Sequence, residues 1–185
     1  VSQIRWQYLI LSGLLGLTMT FTMSTYILYL RKLGLTDLEC NLMNTMFFGM
    51  NLLLDAFTGA LADKWGRKRA FVISCVFWSC GAFTYSLAHT IGMCLLAEFI
   101  AAIGRTLANG ALSSWMNGNL QVLGAPEEVA NKLNSIAAAQ KACMGLIGSM
   151  VGYKLYLIHA PLPWKLSSCA FAFVAMVALL YLHND

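Results

Sequence analysis

The sequence predicts an all-α membrane protein with six transmembrane helices. Three observations predict that class. Of 185 residues, 59% are hydrophobic and only 11% are charged, whereas a soluble domain is roughly a quarter charged; mean hydropathy is +0.67. The apolar residues gather in runs of about 20 or more, the length a helix needs to cross a hydrocarbon core of about 30 Å. The segments between the runs are short and turn-like, and the densest basic cluster lies in one of them.

The first run, Trp6–Leu30, ends at the basic turn RKLGLTD. Thr18, Thr22, Thr25 or Tyr26, and Tyr29 recur in it at helical spacing beside Met19 and Met23. Hydroxyls and thioethers suit a cavity for partly apolar ligands, and they equally suit hydrogen bonding between helices. The second run, Leu38–Ala62, carries a stripe of Asn44, Asn51, Asp55, Thr58 or Gly59, and Ala62, which should face protein or water rather than lipid. The third, Ala70–Ala88, ends at the turn AHT, and the fourth, Ile91–Met116, holds Glu98, Arg105 and Asn109 on one face. Trp78 and Trp115 are expected near helix ends as interfacial anchors.

The segment Gly124-Ala125-Pro126 with Glu127 and Glu128 predicts the start of a short surface helix. The fifth run, Leu133–Leu157, is interrupted by Gln140 and Lys141, and its Gly145, Gly148 and Gly152 form a seam for close helix contact. The last run, Trp164–Leu182, follows a turn made by Pro161 and Pro163, each of which lacks an amide donor. These boundaries make residues 1–185 one transmembrane domain.

Basic residues set the predicted orientation. Arg5, Lys64, Arg67, Lys68, Arg69 and Lys132 share one side, with the Lys64–Arg69 group in a single short loop; Arg31, Lys32, Lys154 and Lys165 share the other. Both termini are therefore expected in the cytoplasm, with the chain multi-pass in the plasma (inner) membrane. The net charge of +4 is concentrated between apolar runs, which speaks against nucleic acid as a partner. Cys40, Cys75, Cys80, Cys94, Cys143 and Cys169 show no C-x-x-C pair and are expected as small buried apolar residues, not metal ligands. The first run is too long for a signal peptide and has no small-residue cleavage site. Val1 stands where an initiator methionine would, so at least one preceding residue is expected.

The junction after the second run reads GALADKWGRKRA from Gly59. Asp63 can accept bonds from amides or a guanidinium, Gly66 permits a positive φ, and Arg67 offers a planar fork of donors. Gly59 lets another backbone approach closely, while Lys68 and Arg69 can meet anionic lipid. This segment resembles the signature loop of the major facilitator superfamily, G-x-L-A-D-[RK]-x-G-R-[KR]. Gly59, Leu61, Ala62, Asp63, Lys64, Gly66, Arg67 and Lys68 each match it, between the second and third runs as in that family. The resemblance implies a gate loop that latches the two halves of a transporter during alternating access. It also implies that the chain is the amino-terminal half of a major-facilitator fold, with the carboxy-terminal half absent from the chain.

Charges at membrane depth cost several kcal/mol on insertion scales, so Asp55, Glu98, Arg105 and Lys141 each call for a reason. Glu98 and Arg105 lie seven residues apart, about 10 Å along a helix axis, so each is expected to find another partner. Arg105 resembles the fourth-span arginine of proton-coupled members, with Gly110 one place later than the family's glycine and Asn109 in its slot. Lys141 is expected either to snorkel to the surface or to line the cleft, pairing with Asp55 or Glu98 or meeting an anionic substrate. A carboxyl in a low-dielectric cleft favours its protonated form and a nearby cation opposes that. Asp55, Glu98, Arg105, Asn109 and Lys141 are thus the proton-coupling or cleft candidates. Thr22, Met23, Tyr26 and Asn51 are the substrate-cavity candidates.

The run DAFTGALADKWGRKRA followed by GRTLANGALSSW looks most like bacterial efflux members of the superfamily. Those often carry glutamate and proline where this chain has Asp55 and Phe57, and acids where it has Ser113 and Ser114. They also carry a proline beside the fifth-span glycines, which is absent here. The expected function is secondary active transport of a small organic solute by a half-length or fragmentary chain, as proton-coupled efflux. The alternatives are an uptake symporter for a sugar or organic ion, and a non-transporting membrane protein that binds or assembles with a partner. An enzyme is not expected: His89, His159 and His183 are isolated, with no H-E-x-x-H and no G-x-S-x-G. No phosphate-binding G-x-x-x-x-G-K-[ST] loop occurs, and no cofactor is expected. The expected partners are the solute, protons, the lipid bilayer, and a carboxy-terminal half or a second copy.

Overall fold

The computed structural model describes residues 1–182, so His183 lies outside the described residues. The first apolar run forms two helices, α1 (Ser2–Met23) and α2 (Tyr26–Lys32). Between them Thr25 leaves helical geometry at φ −116° and ψ 2°. Helix α3 (Asp37–Trp65) starts in a capping box, in which the Thr36 hydroxyl accepts the Glu39 N–H and the Glu39 carboxylate accepts the Thr36 N–H. It stops at Gly66, whose φ of 91° only glycine adopts freely, and α4 (Arg67–Ser86) begins at the next residue.

The fourth run is also divided. Helix α5 (Ile91–Ala108) is capped by the Thr90 hydroxyl, which accepts the Met93 N–H. It gives way at Asn109 and the left-handed Gly110 to α6 (Ala111–Val122). Helix α7 (Glu127–Ile158) is one uninterrupted helix of 32 residues, not a short surface helix followed by a separate span. No glycine or proline occurs between Glu127 and Met144 to stop it, and Glu127 and Glu128 sit in its first turn, where acids favour a helix N-terminus. Helix α8 (Leu162–Tyr181) follows the turn at Pro161.

Among the described residues four stretches are long and apolar enough to cross a membrane: 2–32, 37–65, 91–122 and 162–181. Helices α4 and α7 are long enough but less apolar: α4 carries polar groups that the fold turns inward, and α7 carries exposed polar residues such as Asn131, Lys132, Ser135 and Lys141. Ser74, Tyr85 and Ser86 of α4 are buried, and the Ser79 and Ser168 hydroxyls each donate to the other's carbonyl, at 2.8 and 2.9 Å.

Helix α1 packs on α7 and α8, α4 packs on α5 and α8, and α3 leans on α5. The α1–α7 contact is made by glycines. A Cβ at Gly148 would overlap the Leu17 carbonyl, and one at Gly152 would overlap the Phe21 carbonyl, so the backbones touch there. Helix α3 is the least enclosed; Leu38, Leu42, Phe48, Leu52, Leu53 and Phe57 lie exposed along it. Trp115 is 1% exposed inside the core, and Trp78 stacks on Phe171 in the middle of the bundle. Neither is an interfacial anchor: both indoles fill space between packed helices. Cys40, Cys75 and Cys94 are buried as expected, whereas Cys80, Cys143 and Cys169 are exposed on outward helix faces. Gln7 donates to the Tyr181 carbonyl and Lys68 to the Leu182 carbonyl. The start of α1, the α3–α4 junction and the end of α8 therefore meet at one end of the bundle.

Candidate functional site

At that end, Arg67 forms an ion pair with Asp63 one turn away. Gly66 makes the tight turn expected of it. Gly59 does not receive a neighbouring backbone: it is exposed, and no atom of the described residues lies within 4 Å of where its Cβ would be. Lys68 is half-buried, and its ammonium reaches the Leu182 carbonyl at 2.6 Å instead of pointing to lipid, since the end of α8 presents carbonyls that attract a cation. Arg69 is exposed.

Deeper in the bundle, α1, α2, α3, α4, α5 and α8 enclose a cleft of about 220 Å³. Its wall is built around Glu98, which is only 5% exposed. The Tyr26 and Tyr85 hydroxyls both donate to Glu98 Oε1, so the buried carboxylate is held by two hydrogen bonds, as burial requires. Tyr85 lies against Trp164 with centroids 4.1 Å apart, and Tyr26 meets Tyr85 edge-on at 6.1 Å. The Trp164 and Trp78 indole N–H groups have no acceptor among the described residues, and both rings line the cleft. Thr22, Met23 and Tyr26 line it too, together with Asn44 and Arg105.

A second cavity, about 460 Å³, lies between α1, the α5–α6 break and α7. Arg105, Asn109 and Lys141 line it, and Met19, Met23 and Arg105 belong to both spaces. Lys141 is fixed there because its backbone rests on Gly16, where a Cβ would sit 2.8 Å from the Lys141 Cα. It pairs with neither Asp55 nor Glu98: Glu98 is held by the tyrosines, and Asp55 is exposed on α3 and lines neither space. Asn51 turns back on its own helix, donating to the Phe47 carbonyl at 2.8 Å, and lines neither space.

The structure thus brings together Thr22, Met23, Tyr26, Glu98, Arg105, Asn109 and Lys141 around two adjoining cavities. Both chain breaks border them: Met23 and Tyr26 flank the turn at Ser24–Thr25, and Asn109 and Gly110 form the other. Sequence reasoning missed Tyr85 and Trp164. Only the short AHT turn, which forces α4 and α5 to run side by side, pointed to Tyr85 as a neighbour of Glu98.

The family model described as Major Facilitator Superfamily matches residues 8–185. Sialic acid transporter NanX of Escherichia coli (strain K12) is 32% identical over 108 residues, which are 55% of this chain and 26% of NanX. Quinolone resistance protein NorA of Staphylococcus aureus is 29% identical over 75 residues, 40% of this chain and 19% of NorA. The crystal structure of nucleoside transporter NupG superposes with a TM-score of 0.79 at 18% identity, covering 97% of this chain and 44% of that one, a likeness of fold. The chain spans less than half the length of each of these proteins. With its signature loop in place and its helices in this arrangement, the chain belongs to the major facilitator superfamily.

Proposed function

We propose that this chain is the amino-terminal six-helix half of a secondary active transporter that moves a small organic solute by alternating access. In this reading all six rods, including α4 and α7, cross the plasma (inner) membrane. Both termini and the loop from Gly59 lie in the cytoplasm, and the other half of the site comes from a carboxy-terminal half or a second copy. Protons drive the solute outward.

One observation carries the reading: the Glu98 carboxylate, clasped by Tyr26 and Tyr85 at the wall of an aromatic cleft beside a helix break. A carboxylate in a dry cleft binds a proton when its donors turn away and releases it when they return. Broken helices at mid-membrane are where transporters of this kind hold substrate. The likeness to NorA, a quinolone resistance protein, favours efflux. Asp55 and Gly59, exposed on the least enclosed helix, supply the contact with the other half.

A second reading, uptake of a sugar or other organic ion, draws on the likeness to NanX, a sialic acid transporter. Proteoliposomes holding the complete reading frame, assayed with a solute panel with and without a pH gradient, separate the two by the direction of gradient-driven flux. E98Q together with D55N is expected to abolish accumulation driven by the gradient. Undiminished accumulation in that double variant would remove both carboxylates from the mechanism.

A further inference from the structure

Arg105 and Lys141 arrive from different helices, α5 and α7, at the wall of one cavity. Among the described residues no acid lines that cavity and neither cation has an ion-pair partner. The placement is built in. Gly16 brings the α7 backbone onto α1 at Lys141, and α5 ends one turn beyond Arg105 at the Asn109–Gly110 break, which leaves the Asn109 side chain in the same wall. Both side chains are exposed and line the same space, where two like charges repel one another and an oxyanion between them relieves the repulsion. The adjoining cleft offers the aromatic surfaces of Trp78, Phe171 and Trp164, and Met19 and Met23 lie in the wall of both spaces.

We infer that Arg105 and Lys141 form an anion subsite for the carboxylate of an organic acid whose apolar body lies in the aromatic cleft. The guanidinium supplies a planar fork for the two carboxylate oxygens, and the lysine supplies a second point charge. This names the substrate class of the transporter proposed above, yet it concerns equilibrium binding alone and stands apart from proton coupling.

The test uses the full chain in nanodiscs of phosphatidylcholine, with 2-naphthoate and its uncharged amide as probes and tryptophan fluorescence as the readout. The acid is expected to bind roughly tenfold tighter than the amide. K141Q and R105Q should each bring acid affinity down toward that of the amide, and K141R should restore most of the preference. Thermal melting of each variant separates a lost site from a lost fold, and K141R provides the folded comparison. Equal affinity for the two probes, binding of neither, or an unchanged preference in K141Q would overturn the inference. Nanodiscs containing phosphatidylglycerol distinguish the source of the anion: loss of the acid preference there would assign the subsite to a lipid headgroup and overturn the solute assignment. Because no gradient is present, this result is independent of whether E98Q stops proton-driven transport.

Discussion

Trp164 stacks on Tyr85 at 4.1 Å between centroids, and Tyr85 turns its hydroxyl to Glu98. The indole fixes the ring, and the ring fixes the donor. Y85F removes that donor from a carboxylate that water does not reach easily, and a hydrogen bond to a charged group contributes about 1.5–3 kcal/mol. Y26F should cost less, because Tyr26 is less enclosed than Tyr85. With exposed Cys80, Cys143 and Cys169 changed to serine, a thiol-reactive dye reports unfolding through buried Cys40, Cys75 and Cys94. Y85F is expected to melt lowest, Y26F between it and the parent chain; identical melting curves would show that Glu98 does not depend on these phenols.

Gly148 and Gly152 face the α1 backbone with no room for a methyl group, whereas a Cβ at Gly145 meets only the Thr20 methyl, at 3.3 Å. G148A and G152A are expected to destabilise by about 1–3 kcal/mol, as overpacking does, with G145A milder. The same melting assay ranks them, and G145A falling as far as G152A would contradict the seam.

Asp63 and Arg67 pair in the open, with side-chain exposures of 65% and 34%. Such a pair contributes at most about 1 kcal/mol, so D63N should leave the melting temperature nearly unchanged. If the loop latches two halves together, D63N nevertheless slows transport by the complete protein. A variant that transports at the parent rate would reduce the pair to a local ornament of the turn.

Sidedness is tested at Trp65, which is 40% exposed at the end of α3. W65C, in a background lacking the exposed cysteines, is expected to react with a membrane-impermeant maleimide only in inside-out vesicles. Labelling of intact cells would invert the proposed topology.

Much of the fold was legible because lipid imposes a simple rule: long apolar runs and short turns leave little choice of helix number. The two breaks were not. Ser24–Thr25 and Asn109–Gly110 lie inside continuous apolar runs, and hydropathy does not register a change of backbone direction. Within the site, Glu98, Arg105 and Lys141 stood out because charge is rare at that depth. Tyr85 and Trp164 did not, since an aromatic residue in an apolar run looks the same whether it packs or lines a cleft. Asp55 stood out for the same reason as Glu98, and only the packing reveals that it points outward from these helices.

The backbone contact of α7 with α1 at Leu17 and Phe21 has a mechanical consequence. A slip of one residue would drive the side chain of Ile147 or Ser149, Val151 or Tyr153, into the opposing main chain. The two helices are keyed together and travel as a single beam, so bending during any rocking of this bundle falls to the joints at Ser24–Thr25 and Asn109–Gly110.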